Sequence, residues 1–357
     1  MGFVVPFLTA FLISIFAIIL FNPIAAKIGL LDKPNERKKH DGSIPLIGGI
    51  SIFFSILFAS NLFIQESQTL NLYLISASLI LFLGVLDDRY DLSVRVRLIA
   101  QVIIASILIF GAGFYLSTLG TIFYFFELKL GYVGILVTVI AVIGSINAFN
   151  MVDGIDGLAG MLSLVTFSSL SLLFYSANND WFLLPLLFDA AILAYLFFNL
   201  RWPFTSVPKI FMGDAGSMLI GLTVVWLLVL GTQPYGLHES TFKAGIILSP
   251  VTALYLIAIP LMDMAAIMYR RVKKGDSPFK PDRDHLHHIF ERAGYNRKQT
   301  LIRITSLSIF LALVGLLGEF YHVPEWFMFI GFIVLFITYN WALAHVWLIL
   351  KWLKHNG

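Results

Sequence analysis

No cysteine occurs in the 357 residues. That excludes a disulfide-stapled scaffold, a zinc ribbon and any mechanism built on a thiolate nucleophile. Charge is scarce as well: Asp, Glu, Lys and Arg make up only 13%, where soluble domains carry about 25%. An ordinary water-soluble globule and a disordered chain are both excluded by that shortage. There is no repeat of fixed period. The alternating, weakly hydrophobic segments of roughly ten residues that a membrane β-barrel needs are missing too. The longest polar stretch, 269–301, suffices for a short helix and a loop, so 1–357 reads as a single integral membrane domain. What is present is apolar: 59% hydrophobic and 15% aromatic residues, with a mean hydropathy of +0.87.

Lipid offers the backbone no hydrogen-bond partners, so each long apolar run must be a helix of roughly 17–25 residues. Such runs fall at about 3–23, 46–64, 70–86, 97–113, 130–148, 158–176, 182–200, 216–232, 244–268, 302–318 and 327–350. The expectation is an all-α, polytopic membrane bundle of about eleven transmembrane helices. Only Asn150 to Gly157 divides the fifth run from the sixth. The first run has no basic segment before it and strongly basic residues after it, as a retained anchor would rather than a cleaved signal peptide.

Alternate connections place 27–45, 87–97, 149–157, 201–215, 269–303 and the tail after Leu350 on one side. Every Lys and Arg lies on that side except Lys129 and Lys243. The positive-inside rule then puts the N-terminus outside and the C-terminus in the cytoplasm. Most acidic residues share the basic side, and carboxylates at apolar helix ends cost several kcal/mol unless paired or bound to a cation. A divalent metal together with Lys and Arg is the simplest remedy.

Four motifs gather there. Asp87-Asp88 ends the third run; adjacent helical positions point about 100° apart, so one can face a metal and the other a substrate or an arginine, unless both are simply solvated. Asn147, Asn150, Asp153 and Asp156 recur every three residues, which lines two amides and two carboxylates along one helical stripe. Gly154 and Gly157 permit a broken helix there and close ligand approach. In Lys209-Ile-Phe211-Met-Gly213-Asp214-Ala-Gly216-Ser217, a Gly-flanked Asp at a helix start suits a metal ligand, with free backbone N–H groups for phosphate. Phe211 can stack on a base or serve as an interfacial aromatic. Pro281-Asp-Arg283-Asp-His285-Leu-His287-His288 lacks the companion Cys or carboxylate of a zinc site. With Lys280 and Arg292 nearby it reads as a phosphate and sugar clamp, or as a basic loop on anionic lipid. Two acids lie inside runs: Asp189 has no evident partner, and Asp263, seven residues before Arg270, is expected to snorkel toward that basic end.

In order along the chain, Asp87-Asp88, the Asn-x-x-Asn-x-x-Asp-Gly-x-Asp-Gly block, Phe-Met-Gly-Asp214 and His-Leu-His-His resemble the polyprenyl-phosphate N-acetylhexosamine-1-phosphate transferases. Asp-Lys-Pro-Asn at 32–35, Pro45-Leu-Ile-Gly48-Gly49 and the Leu286 interposed among the histidines look most like the branch that uses N-acetylglucosamine. The resemblance implies that UDP-GlcNAc and undecaprenyl phosphate give undecaprenyl-diphosphate-GlcNAc and UMP, a first lipid-linked step toward O-antigen or enterobacterial common antigen. It implies Mg²⁺, with Mn²⁺ as an alternative, held by Asp214 and Asn150. Phe211, Asp156 and Asn147 would bind the nucleotide. Asp87, Asp88, Asp153 and Asp156 would be catalytic, and Arg283, His285, His287 and His288 would bind diphosphate or sugar. The resemblance also implies a bacterial inner membrane, with the N-terminus in the periplasm and the C-terminus in the cytoplasm; membrane lipids surround such a protein, nucleic acid has no part in it, and a homodimer is compatible with it.

Other classes fit less well. A transporter gathers its ionisable groups near the bilayer midplane, whereas these collect at one face. An intramembrane aspartyl protease wants Gly where Phe211 stands, and a CDP-alcohol phosphotransferase wants Asp-Gly-x-x-Ala-Arg, which Asp153-Gly-Ile-Asp lacks.

Overall fold

Backbone groups in an apolar run are satisfied within the run, and the described part of each expected run falls largely on helix in the computed structural model, which describes residues 2–32, 42–233, 246–278 and 285–345. Helix α1 (Val4–Ile28) is followed by two short paired strands, β1 (Leu31–Asp32) and β2 (Ile44–Pro45), which lead into α2 (Gly48–Phe63). Next come α3 (Gln68–Tyr90), α4 (Val94–Ser106, extended by a π-turn to Gly111), α5 (Val133–Val152), α6 (Leu158–Ser176) and α7 (Leu183–Leu200). The chain continues through α8 (Gly213–Thr232), α9 (Pro250–Leu256), α10 (Ala258–Lys273), α11 (Leu286–Arg292), α12 (Arg297–Phe320) and α13 (Glu325–Ala344).

Among the described residues nine helices are long and apolar enough to cross a membrane, or 10 if one bent pair is a single span. The protein is therefore a polytopic helical membrane protein. The two expected spans outside the nine are α2, with 16 residues, and the pair α9 and α10, bent by 83° at Ile257. Ser and Asn caps start several helices, with a full capping box at Asn296 and Gln299 opening α12. The short division between the fifth and sixth runs is real: α5 ends at Val152, and Gly157, in the left-handed region, restarts the chain as α6.

Helix α8 is the axis of the bundle. Every residue from Ala215 to Thr232 is buried, with α2, α3 and α5 packed around it. Apolar side chains on the outer helices face outward instead, including Leu12 and Phe16 on α1 and Ile330 and Ile337 on α13. Lipid solvates such a surface without cost, so it needs no partner. Asp189 on α7 accepts a hydrogen bond from Ser168 on α6 (3.0 Å), the partner that the sequence did not reveal; its other oxygen has none.

Small residues set how closely the central helices approach. A Cβ on Gly49 would strike the backbone of Ala215 and Gly216, and one on Gly84 would strike Asp214 and Ala215. Both contacts fall at the start of α8, where α2 and α3 reach it. Close backbone approach through small residues is the usual packing device between helices in lipid. The Pro45–Gly49 segment adds backbone bonds to the same place: Phe211 N–H donates to Pro45 O (2.9 Å), Gly48 N–H to Phe211 O (2.9 Å) and Gly49 N–H to Met212 O (3.0 Å).

Gly84→Ala should lower folding stability by about 1–3 kcal/mol, because the added methyl meets fixed backbone. Gly111, whose Cβ would sit at ordinary contact distance from the flexible Leu72 side chain, supplies the control. Thermal unfolding in detergent should show a clear loss for Gly84→Ala and little for Gly111→Ala.

Candidate functional site

Gly84 and Asp88 are one helical turn apart on α3, so the glycine that lets α3 touch α8 also delivers the carboxylate to the start of α8. The two Asp88 oxygens accept from the backbone N–H groups of Asp214 (2.9 Å) and Ala215 (3.2 Å). These are otherwise unsatisfied donors of a first helical turn, and a carboxylate is well placed against the positive end of the helix. Gly213, at φ +71°, must be glycine twice over: its backbone is left-handed, and a Cβ there would meet Asp88. The free amides anticipated for phosphate at this helix start are therefore taken, at 214 and 215, by Asp88.

Asp214 stands in the first turn of α8. Asn150, near the end of α5, donates its Nδ2 to Asp214 Oδ1 (2.8 Å) and to Ser217 Oγ (3.0 Å). The expected stripe of four polar residues breaks just beyond it, because α5 stops at Val152. Asp153 and Asp156 instead lie on the turn between α5 and α6. That turn, the 211–214 segment and the end of α7 enclose a pocket of about 250 Å³, lined by Asp153, Asp156, Phe211, Asp214 and His288 among others. Lys209 pairs with Asp156 (2.7 Å) and sits over the Phe211 ring, 5.2 Å from its centroid.

Three residues do not take the positions expected of them. Asp87, placed with Asp88 and Asp153 in one acidic cluster, turns the other way: it is buried, pairs with Arg97 (2.8 Å) and accepts from Leu92 N–H (2.8 Å). The two adjacent carboxylates split, one bracing the corner between α3 and α4 and the other bracing α8. Asn147 donates to Gln101 Oε1 (3.0 Å) and to Ile143 O (2.7 Å), and does not line the pocket. Asp263 does not reach for Arg270; it accepts from His285 Nδ1, Leu286 N–H and Tyr339 OH, each at 3.0 Å. Arg283 lies outside the described residues.

The three histidines form a column. The rings of His285 and His287 are nearly parallel with centroids 5.7 Å apart, and those of His287 and His288 are 4.2 Å apart. The His287 ring lies where a Cβ on Gly154 would be, which explains that glycine: it admits an imidazole against the backbone next to Asp153. Burial, helped by the neighbouring histidines, pushes the His287 pKa down to about 3, so this ring is neutral at pH 7. His288 faces the pocket with Glu291, which accepts from it at 3.4 Å.

Sequence reasoning missed several lining residues: Asp32, Tyr195, Asn199, Glu291 and Arg297. Tyr195 and Asn199 are one turn apart at the end of an apolar span, a weak signal that was available. Asn199 donates to Ile210 O (2.9 Å), while its Oδ1 is buried at the pocket without a partner.

Among the described residues no three His, Cys, Asp or Glu side chains form a ready metal cage. Magnesium does not need one, since it is commonly held by one or two carboxylates plus substrate phosphates and water. The Asp214 carboxylate, with the amide oxygen of Asn150 left over once Nδ2 has been used, is an all-oxygen donor set that fits such an ion.

Residues 70–232 match the family described as Glycosyl transferase family 4. The chain is 46% identical over 351 residues to an undecaprenyl-phosphate alpha-N-acetylglucosaminyl 1-phosphate transferase of Haemophilus influenzae, covering 98% of this chain and 95% of that one. A protein of the same name from Pasteurella multocida is 47% identical over 355 residues, 99% and 96% of the two chains. Another from Salmonella typhi is 46% identical over 349 residues, 97% and 92%.

The neutral, buried His287 makes stability depend on pH. Between its folded value of about 3 and the ordinary 6.5, the unfolded chain binds a proton that the folded chain does not. Its contribution is therefore complete above about pH 6.5 and is lost as pH falls toward about 3. The unfolding temperature of the wild type should drop more steeply from pH 7 to pH 4 than that of His287→Gln.

Proposed function

The chain belongs to Glycosyl transferase family 4, among the undecaprenyl-phosphate alpha-N-acetylglucosaminyl 1-phosphate transferases, and from that membership we propose that it moves GlcNAc-1-phosphate from UDP-GlcNAc to undecaprenyl phosphate and releases UMP. The observation that carries this reading onto particular residues is the pocket at the start of α8, where Asp214, Asp153 and Phe211 meet. The two substrates come from different phases, one from the leaflet and one from the cytoplasm, and a pocket at the ends of membrane helices is where both can arrive. The distribution of Lys and Arg supports a cytoplasmic placement of that pocket in the inner membrane, with a periplasmic N-terminus and a cytoplasmic C-terminus.

Phe211 takes the uracil on its ring face, and Asp156 with Lys209 borders the nucleotide. Asp214 and Asn150 would hold Mg²⁺, or Mn²⁺ in its place, whose charge would offset that of the diphosphate. His288 and Arg297 supply further positive or hydrogen-bonding groups at the pocket, and His285, which does not line it, is assigned to the diphosphate with them. The lipid phosphate, with a second pKa near about 6, is largely dianionic at neutral pH, so general-base help has little to add. Its oxygen attacks the β-phosphorus in line, the bond from that phosphorus to the bridging oxygen breaks, and UMP leaves. Asp153, which lines the pocket, is the carboxylate that this reading assigns to orient the nucleophile and to take the proton of any monoanion.

Purified protein given undecaprenyl phosphate, a divalent metal and a panel of UDP-sugars should release UMP with UDP-GlcNAc. Release with UDP-MurNAc-pentapeptide alone would overturn the choice of sugar, and radiolabelled phospho-GlcNAc trapped on the protein without acceptor would overturn direct displacement. Stacking on an aromatic ring contributes roughly 1–3 kcal/mol per base, so Phe211→Ala should raise KM for UDP-GlcNAc about fivefold or more, with kcat changed far less.

A further inference from the structure

Asp263 is buried on α10, and its carboxylate is met by three groups at once, two from the start of α11 and one from α13. Oδ2 takes His285 Nδ1 (3.0 Å), while Oδ1 takes the N–H of Leu286 (3.0 Å), the first residue of α11, and the hydroxyl of Tyr339 (3.0 Å) on α13. An ionised carboxylate only accepts hydrogen bonds, so each partner must donate. The backbone N–H has no alternative, and the phenol donates readily. The imidazole must then carry a proton on Nδ1, which leaves Nε2 as the atom free to meet a ligand. A proton arriving at Nε2 makes an imidazolium whose charge is matched by the carboxylate behind it.

We propose that Asp263 is a positioning residue of the transfer reaction: it fixes the Nδ1–H tautomer and the orientation of His285, and through Tyr339 it fastens the start of α11 to the last described helix. This rests on the reading of His285 as a contact of the substrate diphosphate. The arrangement separates the roles of three neighbouring rings. His287, neutral and pressed on Gly154, is a spacer stacked against His285; His288 opens to the pocket; His285 is the ring that a buried carboxylate orients. It also explains an acid inside an apolar helix. Burying a carboxylate is expensive unless its hydrogen bonds are fully made, and Asp263 has three.

The test uses the full chain in lipid nanodiscs. In protein labelled with ¹⁵N-histidine, the ring of His285, assigned by its disappearance in His285→Gln, should carry a proton on Nδ1. A proton on Nε2 alone overturns the proposal, with no variant of Asp263 needed. Tyr339→Phe removes one donor, spares the His285 bond and should leave the Nδ1 proton in place; its loss there also counts against the proposal. For activity, the UMP-release rate of Asp263→Asn should fall about tenfold or more, as when a buried partner of a functional histidine is removed. The same change in His285→Gln should lower the rate no further, because Asp263 acts through that ring. Equal losses in both backgrounds, or a wild-type rate for His285→Gln, overturn the proposal. Failure of the wild type to release UMP from UDP-GlcNAc would instead sink the parent reading and leave the tautomer result standing.

Discussion

Two backbone amides at the start of α8 are bonded to the carboxylate of Asp88, and the rest of the site takes its position from that bond. Helix α8 is buried from Ala215 to Thr232, so its first turn is the one part that can present chemistry. An exposed first turn frays; one capped from a neighbouring helix, with glycines holding the helices together, does not. Asp214 is thereby fixed, Asn150 is fixed against Asp214, and the turn bearing Asp153 and Asp156 follows from the end of α5.

The site is built with little local redundancy. The Pro45–Gly49 segment holds Phe211 and Met212 by backbone bonds, so main chain helps to aim the aromatic ring that Lys209 overlies. Gly154, Gly213 and Gly84 each admit a group that a methyl would displace: an imidazole, a carboxylate and a helix. These glycines are functional through the space they leave. A small pocket at a helix start, bordered by carboxylates and by cations such as Lys209 and Arg297, suits a reaction in which charged phosphates must be aligned more than chemically activated.

Much of this was legible in the sequence. The apolar runs fall on helices because lipid permits the backbone no other solution, and the motifs at 150–156 and 211–214 meet because polar residues at the ends of apolar helices have few places to go. What could not be read was direction. Nothing local distinguishes Asp87 from Asp88, and only the packing of α4 and α8 turns one to Arg97 and the other to Ala215. A period of three projects a helical stripe through Asp156, but α5 stops at Val152, ahead of the glycines at 154 and 157. Sequence alone points Asp263 toward Arg270 along its own helix, whereas its partners come from α11 and α13, 22 to 76 residues away.

The central claim is that the pocket at the start of α8 is where the nucleotide sugar binds. A structure of the chain with UDP-GlcNAc and Mn²⁺ tests it most directly. The account requires uracil on the Phe211 ring, the metal between Asp214 and the diphosphate, and Asp88 still bonded to the amides of Asp214 and Ala215. A nucleotide seated elsewhere, or an Asp88 that leaves α8 to ligate the metal, would contradict it.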